Sequence, residues 1–170
     1  MIAIPLHGPL ARGRTALIDD ADLGLIEGYR WNVSEYRAGM THQHGPYARA
    51  AIPGSRKHVY MHQLITGWPA TDHLNRNGLD NRRANLRRAT KTQNAGNSPH
   101  RPGSSSRFKG VCRPAGRTKF MAQIRDNGRN VYLGVFESEM DAALAYDVAA
   151  REIFGEFAYL NIPAAEDVTS

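Results

Sequence analysis

The stretch that decides the fold covers residues 71–87 and reads TDHLNRNGLDNRRANLR. It begins with a carboxylate next to an imidazole, Asp72 and His73, and continues into a loop rich in Asn, Gly and Arg. Because Asn and Gly are the residues that tight turns favour, this loop is predicted to reverse the chain. Asn85 then opens a short strand, predicted over residues 86–90, that returns beside the strand ending at His73.

A short helix, predicted to begin near Lys91, carries Asn94. If the loop folds back as a β-β-α unit, the side chains of Asp72 and Asn94 converge. One carboxylate oxygen and one amide oxygen leave most positions of a cation to water and phosphate, as Mg²⁺ prefers. His73 suits a different role. The unperturbed pKa of histidine is about 6.5, so its neutral imidazole can accept a proton from water.

Residues 71–97, TDHLNRNGLDNRRANLRRATKTQNAGN, and the upstream VYMHQLITG (residues 59–67) resemble the HNH-type homing endonucleases, which phages and their introns often encode. The resemblance places His73 at the first position of the motif, Asn85 at the central one and Asn94 at the last. The pattern in this chain is therefore H-N-N. Because an amide replaces the last histidine, we expect Zn²⁺ or Ni²⁺ to bind less well than in relatives that keep it.

The resemblance implies metal-dependent hydrolysis of DNA phosphodiester bonds, with 5′-phosphate and 3′-hydroxyl products. It assigns His73 as the general base and Asn85 as the residue that pins the loop and orients the His73 ring. It assigns Asp72 and Asn94 as ligands of one divalent cation, Mg²⁺ first and Mn²⁺ as the alternative. One such site per chain favours nicking of a single strand. His62, within MHQLI, is predicted to be a packed or capping histidine rather than a member of the site.

Positive charge is concentrated in the middle of the chain. Residues 56–125 contain fifteen Lys and Arg against two acids, whereas residues 126–170 contain two against nine, and the whole chain has a net charge of +6. A concentrated basic surface is typical of proteins that bind polyanions. Four closely spaced arginines are therefore predicted to grip phosphates near the cut: Arg82, Arg83, Arg87 and Arg88.

The C-terminal part of the chain resembles the Apetala-two/ethylene-response-factor DNA-binding domain. The matching segments are FKGV (108–111), FMAQIR (120–125), YLGVF (132–136), AALAYD (142–147) and LNIP (160–163). The residues themselves predict strands over 108–113, 119–125 and 130–136, a tight hairpin turn at Asn127-Gly128 and a helix that begins after a Ser138 cap. The resemblance implies a three-stranded antiparallel sheet that enters the major groove and packs on one helix. By position, the residues that would read DNA are Lys109, Arg113, Gln123, Arg125 and Tyr132. Backbone contacts are assigned to Arg117, Lys119 and Arg129.

Together these features predict an α+β protein of two domains. Residues 1–97 form a ββα-metal nuclease domain with its core at about 69–97. Residues 98–106, which contain no large apolar side chain, form a linker, and residues 107–170 form the DNA-binding domain.

The remaining composition limits where the protein works and with what. A single cysteine, Cys112, excludes a disulfide framework and fits a reducing compartment. No apolar run is long enough to span a membrane, so we expect a cytoplasmic location, in a bacterial host if a phage encodes the protein. The expected partner is double-stranded DNA, and a monomer is favoured over an oligomer.

Two other functions compete with this interpretation. The chain could be a DNA-binding regulator whose nuclease site is inactive, although the complete set Asp72, His73, Asn85 and Asn94 argues against that. An RNA-binding protein is disfavoured, because no pattern of stacking aromatic residues of the kind that RNA-binding sheets use is present.

Overall fold

The computed structural model describes residues 1–35, 45–100 and 103–163. The chain divides into two compact units, Met1–Thr90 and Lys91–Ser170. Helices and several small antiparallel sheets are present, which confirms the predicted α+β class. The predicted domain and linker limits remain predictions. Residues 101 and 102 of that linker and residues 164–170 lie outside the described residues.

The first unit is built from short antiparallel strands: β1 (Ile2–Pro5) with β2 (Thr15–Ile18), β3 (Asn32–Ser34) with β4 (Tyr47–Ala51) and β5 (His58–Tyr60), and β6 (Thr71–His73) with β7 (Leu86–Arg88). Its helices, α1 (Leu23–Ile26) and α2 (Met61–Thr66), are also short. The core gathers around Ile18, Trp31 and Met61, which are almost fully buried. Trp31 is fixed there because its Nε1 donates a hydrogen bond to the carbonyl of Ile26 at 3.1 Å.

The second unit begins with a helix and continues as a sheet covered by a longer helix. Its elements are α3 (Lys91–Asn97), β8 (Val111–Cys112), β9 (Phe120–Asp126), β10 (Arg129–Phe136) and α4 (Glu139–Phe154). The sheet is antiparallel in the order β10-β9-β8. Ala142 and Ala143 of α4 are fully buried with Val111 and Ala122 of the sheet. Small side chains let the helix lie close to the strands, so the predicted sheet packed on one helix is present.

Local sequence signals set the limits of these elements. Asn127 and Gly128 have φ values of 45° and 84° in the turn between β9 and β10, the left-handed conformation that a tight hairpin turn requires. The Ser138 hydroxyl accepts hydrogen bonds from the amides of Met140 and Asp141 at 3.1 and 3.2 Å, as expected for a helix N-cap. Both predicted features are confirmed.

Serine hydroxyls organise the segment before β8. The amide of Phe108 donates to the Ser106 hydroxyl at 3.0 Å, and the amide of Arg113 donates to the Ser105 hydroxyl at 2.9 Å. These bonds hold the backbone in turns, so the strand predicted to start at Phe108 begins only at Val111. Within the described ranges, no helix has both the length and the apolar character that crossing a bilayer requires.

Candidate nuclease site and nucleic-acid interface

Asp72 and His73 lie at the end of β6, where β7 pairs with them. Asp72 is opposite Arg87, and His73 is opposite Leu86. The Nε and Nη2 atoms of Arg87 lie 2.8 Å from Oδ2 of Asp72. Only 6% of Asp72 and 4% of His73 is exposed. The acid predicted to bind the metal and the imidazole predicted to act as the base are therefore adjacent and buried, and a guanidinium is bonded to the acid.

Asn85 closes the loop between β6 and β7. Its Oδ1 accepts a hydrogen bond from the Asn75 amide at 2.9 Å, and its Nδ2 donates to the Asp80 carbonyl at 2.7 Å. Its own carbonyl accepts from the amide of Leu74 at 2.9 Å. Through these three bonds the buried Asn85 holds the start of the loop, at Leu74 and Asn75, and its later part, at Asp80. A residue that pins the loop is expected to bond in this way.

Asn81 contacts the His73 ring. Its Oδ1 lies 3.4 Å from Nε2 of His73, while its Nδ2 donates to the Leu79 carbonyl at 3.2 Å. The second bond fixes the orientation of the amide, so that the oxygen faces the ring. Since an amide oxygen only accepts, Nε2 is assigned the proton and Nδ1 the lone pair. Sequence reasoning missed Asn81, because nothing in the sequence separates it from the turn-forming Asn75 and Asn77.

Aromatic rings surround His73 on its other sides. The centroids of Tyr47 and His62 lie 5.7 and 5.1 Å from that of His73, and the Tyr60 ring stacks on His62 at 5.5 Å. Burial lowers the pKa of His73, and this outweighs the Asn81 hydrogen bond and the nearby charges of Asp72 and Asp80, which raise it. The imidazole is therefore neutral at neutral pH, which is the form that a general base needs.

His62 lies next to the site as a packed residue. Burial, with a smaller effect of the adjacent His73, lowers the pKa of His62 to about 3. Its Nδ1 is buried and has no hydrogen-bond partner among the described residues. The prediction that His62 is a packed histidine agrees with this placement, although its ring also forms part of the wall around His73.

Three of the four arginines predicted to grip phosphates have acidic partners within the first unit. Arg82 donates from Nε and Nη2 to the two carboxylate oxygens of Asp80 at 2.7 and 2.6 Å. Arg83 pairs with Asp22, and its Nε and Nη2 donate to Oδ1 of that carboxylate at 3.0 and 2.6 Å. Both acids are buried, so these pairs hold the fold together. Of the four arginines, Arg88 is the one on an exposed position of its strand.

The residues assigned to the cation fit a hard ion. Asp72 offers a carboxylate, and Asn94, which lies on α3 in the second unit, offers an amide oxygen. Groups of three or more His, Cys, Asp or Glu side chains that could hold a metal do not occur in the described part of the chain. Carboxylate and amide oxygens are donors that a hard cation such as Mg²⁺ accepts. The shared site of Asp72 and Asn94 and the choice of Mg²⁺ stay predictions.

Helix α3 is anchored to the rest of the second unit at its C-terminal end. Lys109 Nζ donates to the carbonyls of Ala95 and Gly96 at 2.9 and 2.6 Å, and it lies about 6 Å from three aromatic ring centroids, those of Tyr146, Phe154 and Tyr159. A positive charge at the end of a helix stabilises its carbonyls. Lys109 was predicted to read DNA, but here its ammonium caps this helix.

Other predicted readers share the outer face of the sheet. Gln123 is opposite Tyr132, and Arg125 is opposite Asn130. Ala122 and Ile124 alternate with them and are buried on the face beneath α4. Tyr132 is 64% exposed. The structure therefore brings Gln123, Arg125 and Tyr132 together on one open surface.

Arg113 lies just after β8. Its guanidinium carbon is 5.8 Å from the ring centroid of Phe120, an arrangement that holds the side chain over the start of β9.

The chain is similar to known proteins of two groups. An uncharacterized HNH endonuclease of Acanthamoeba polyphaga mimivirus is 38% identical over 90 residues, which are 53% of this chain and 46% of the viral protein. The ethylene-responsive transcription factor 3 of Nicotiana tabacum is 52% identical over 60 residues, 34% of this chain and 26% of that protein. The dehydration-responsive element-binding protein 2D of Arabidopsis thaliana is 44% identical over 62 residues, 35% of this chain and 30% of that protein.

These similarities confirm the predicted resemblance to HNH endonucleases and to Apetala-two/ethylene-response-factor proteins. The chain spans less than half the length of each of the three relatives. No protein-family profile matches it.

Proposed function

We propose that this protein is a metal-dependent DNA endonuclease of the homing type, which prefers particular sites and nicks one strand. The observation that carries the proposal is the Asp72–His73 pair at the end of β6, with an imidazole that burial keeps neutral. Similarity to a viral HNH endonuclease supports a nuclease with a ββα-metal core, and similarity to plant transcription factors supports duplex DNA as the substrate.

In the proposed mechanism His73 acts as the general base. Because Nε2 holds its proton against Asn81, Nδ1 takes the proton from a water molecule. The resulting hydroxide attacks the phosphorus, the bond to the 3′ oxygen breaks, and the departing 3′ oxygen takes up a proton from solvent, which leaves a 5′-phosphate and a 3′-hydroxyl end. A divalent cation bound by Asp72 and Asn94 would supply positive charge beside the scissile phosphate. Asn85 keeps the loop closed, so that the His73 ring keeps its orientation.

The second unit is proposed to supply most of the DNA affinity. Its outer sheet face presents Gln123, Arg125 and Tyr132, which suit contacts with base edges and phosphates in the major groove. A recognition module on the same chain raises the concentration of the nuclease near the bound site. The nuclease unit therefore needs little sequence preference of its own.

The test is nicking of supercoiled plasmid in the presence of Mg²⁺ or Mn²⁺. We expect the protein to convert supercoiled DNA to open circles. The His73→Ala variant should do so at least about 100-fold more slowly, since a positioned base contributes that much or more. His58→Ala is the matched control, because His58 lies exposed on β5. Equal rates for His73→Ala and the unchanged protein would refute the mechanism.

A DNA-binding regulator with an inactive nuclease site is the second candidate. It is favoured by the Arg87 guanidinium bonded to Asp72, because a positive charge on that carboxylate competes with a cation. It is also favoured by the burial of His73, which is only 4% exposed. Tight binding of duplex DNA without nicking in either metal would support this second function.

A further inference from the structure

The outer face of the β8–β9–β10 sheet contains a groove of about 380 Å³ next to the residues proposed to read DNA. Its floor is Met121 and Val135, which are directly opposite each other in the β9–β10 register. Its wall is formed by the segment between β8 and β9, with Arg117 and Lys119 on the rim. The groove therefore combines an apolar floor with a positively charged edge.

This apolar floor does not belong to the core of the second unit. The core lies on the opposite face of the sheet, where Ala122 and Ile124 are buried. Val135 is 50% exposed on the outer face. Together with the partly exposed Met121 opposite it, Val135 therefore offers apolar surface to a ligand on this face.

The charges around the groove favour a polyanion as its occupant. Arg117 and Lys119 form the rim, and Arg125 lies on the same face further along β9. Glu137 pairs with Lys119 at 2.5 Å, but both side chains are more than half exposed. An exposed pair of this kind is weak, so a phosphate can replace the Glu137 carboxylate.

We propose that Met121 and Val135 contact the 5-methyl groups of thymine in the major groove. This inference rests on the proposed DNA-binding function and specifies what that function recognises. The thymine methyl is the one apolar group that base edges present in the major groove. Gln123 and Arg125, on the same face, suit adenine and guanine respectively. The outer face of the sheet thus carries apolar side chains for thymine methyl groups beside polar side chains for adenine and guanine.

The test removes the methyl group and leaves base pairing unchanged. Duplexes that bind the full-length protein are first enriched from a random-sequence library. The enriched pool is then copied once with thymidine and once with deoxyuridine, and the affinity of both pools is measured. We expect binding to the uracil pool to be weaker by about fourfold for each methyl contacted, the factor that corresponds to one buried methyl group.

Val135→Thr assigns the effect to the groove, because threonine keeps the shape of valine but replaces one of its two methyl groups with a hydroxyl. We expect the preference of this variant for the thymine pool to be smaller than that of the unchanged protein, with the Met121 contact remaining. The matched control is Val148→Thr on α4, since Val148 is 55% exposed and Val135 is 50% exposed in the same unit. The control should retain the preference for thymine.

The outcomes are distinct. Equal affinity of the unchanged protein for the two pools overturns the inference and leaves DNA binding intact. A preference for thymine that is undiminished in Val135→Thr also overturns it, because the methyl is then sensed elsewhere. Failure to enrich any duplex refutes the proposed DNA binding and this inference with it.

Discussion

The loop between β6 and β7 and the outer face of the C-terminal sheet both carry arginines, but the two regions hold them differently. In the loop, Arg82 and Arg83 are bonded to the buried carboxylates of Asp80 and Asp22. On the sheet, Arg125 is exposed and has no ion-pair partner among the described residues. A guanidinium tied to a buried acid keeps its place and its charge is balanced, whereas an exposed one can move to a phosphate.

This difference indicates a division of labour. The first unit uses Arg82 and Arg83 mainly to compensate the buried acids Asp80 and Asp22, and the C-terminal sheet provides the adaptable positive surface. Positive charge in a sequence therefore predicts DNA contact only where acids from elsewhere in the fold do not neutralise it. If this division holds, substituting a paired arginine of the first unit lowers folding stability, whereas substituting an exposed arginine of the sheet lowers DNA affinity.

The largest effect is expected for Arg87, whose partner Asp72 is the buried acid of the site. Arg87→Ala leaves that carboxylate without its guanidinium, and we expect the free energy of unfolding to fall by about 3 kcal/mol. Arg88→Ala is the matched control, because Arg88 is exposed at the next position of β7, and it should change stability by less than about 0.5 kcal/mol. Urea unfolding of both variants measures the difference.

Similar, small losses of stability in Arg87→Ala and Arg88→Ala would show that the Asp72 pair adds little to the fold. Arg87 would then be available to bind phosphate, as the exposed Arg125 of the sheet is.

The next largest effect is a loss of folding stability at low pH, which is caused by His62. The folded protein holds the pKa of His62 at about 3, below its ordinary value of 6.5. The unfolded chain therefore binds a proton that the folded protein excludes, and stability is lost as the pH falls from about 6.5 towards 3. Between pH 7.5 and pH 5 this histidine alone should lower the free energy of unfolding by about 2 kcal/mol.

Unfolding at the two pH values, in the unchanged protein and in His62→Leu, measures this contribution. The variant is expected to be less stable at pH 7.5 but to lose about 2 kcal/mol less on acidification. A pH dependence that is identical in the two proteins would show that His62 binds a proton equally well in the folded and unfolded states, and that its packing does not exclude water from its ring.

The contrast between the two regions also explains what the sequence could predict. Local signals worked well: the Asn127-Gly128 turn and the Ser138 cap were both found where the sequence places them. These features depend on residues within a few positions of one another. The pairing of β6 with β7, which brings His73 beside Leu86, follows from a turn-rich loop between two short strands for the same reason.

Contacts between distant residues were not predictable. Arg83 and its partner Asp22 are 61 positions apart, so a count of acids near the arginines could not reveal the pair. Asn81 was missed for a different reason. Its loop contains several asparagines whose turn-forming roles look alike in sequence, and only the fold directs the Asn81 amide oxygen at His73.

The smallest of the expected effects compares Arg125 with Arg82 directly in DNA binding. Arg125→Gln should weaken binding of the enriched duplex pool by about tenfold and reduce its dependence on salt, because one cation that replaces counterions is lost. Arg82→Gln should change the affinity by less than about twofold, since its guanidinium is bonded to Asp80. Titration at several salt concentrations, at a temperature where both variants are folded, separates the two. Equal losses would mean that both regions contact phosphates, and that an arginine paired with a buried acid can still hold DNA through its exposed side.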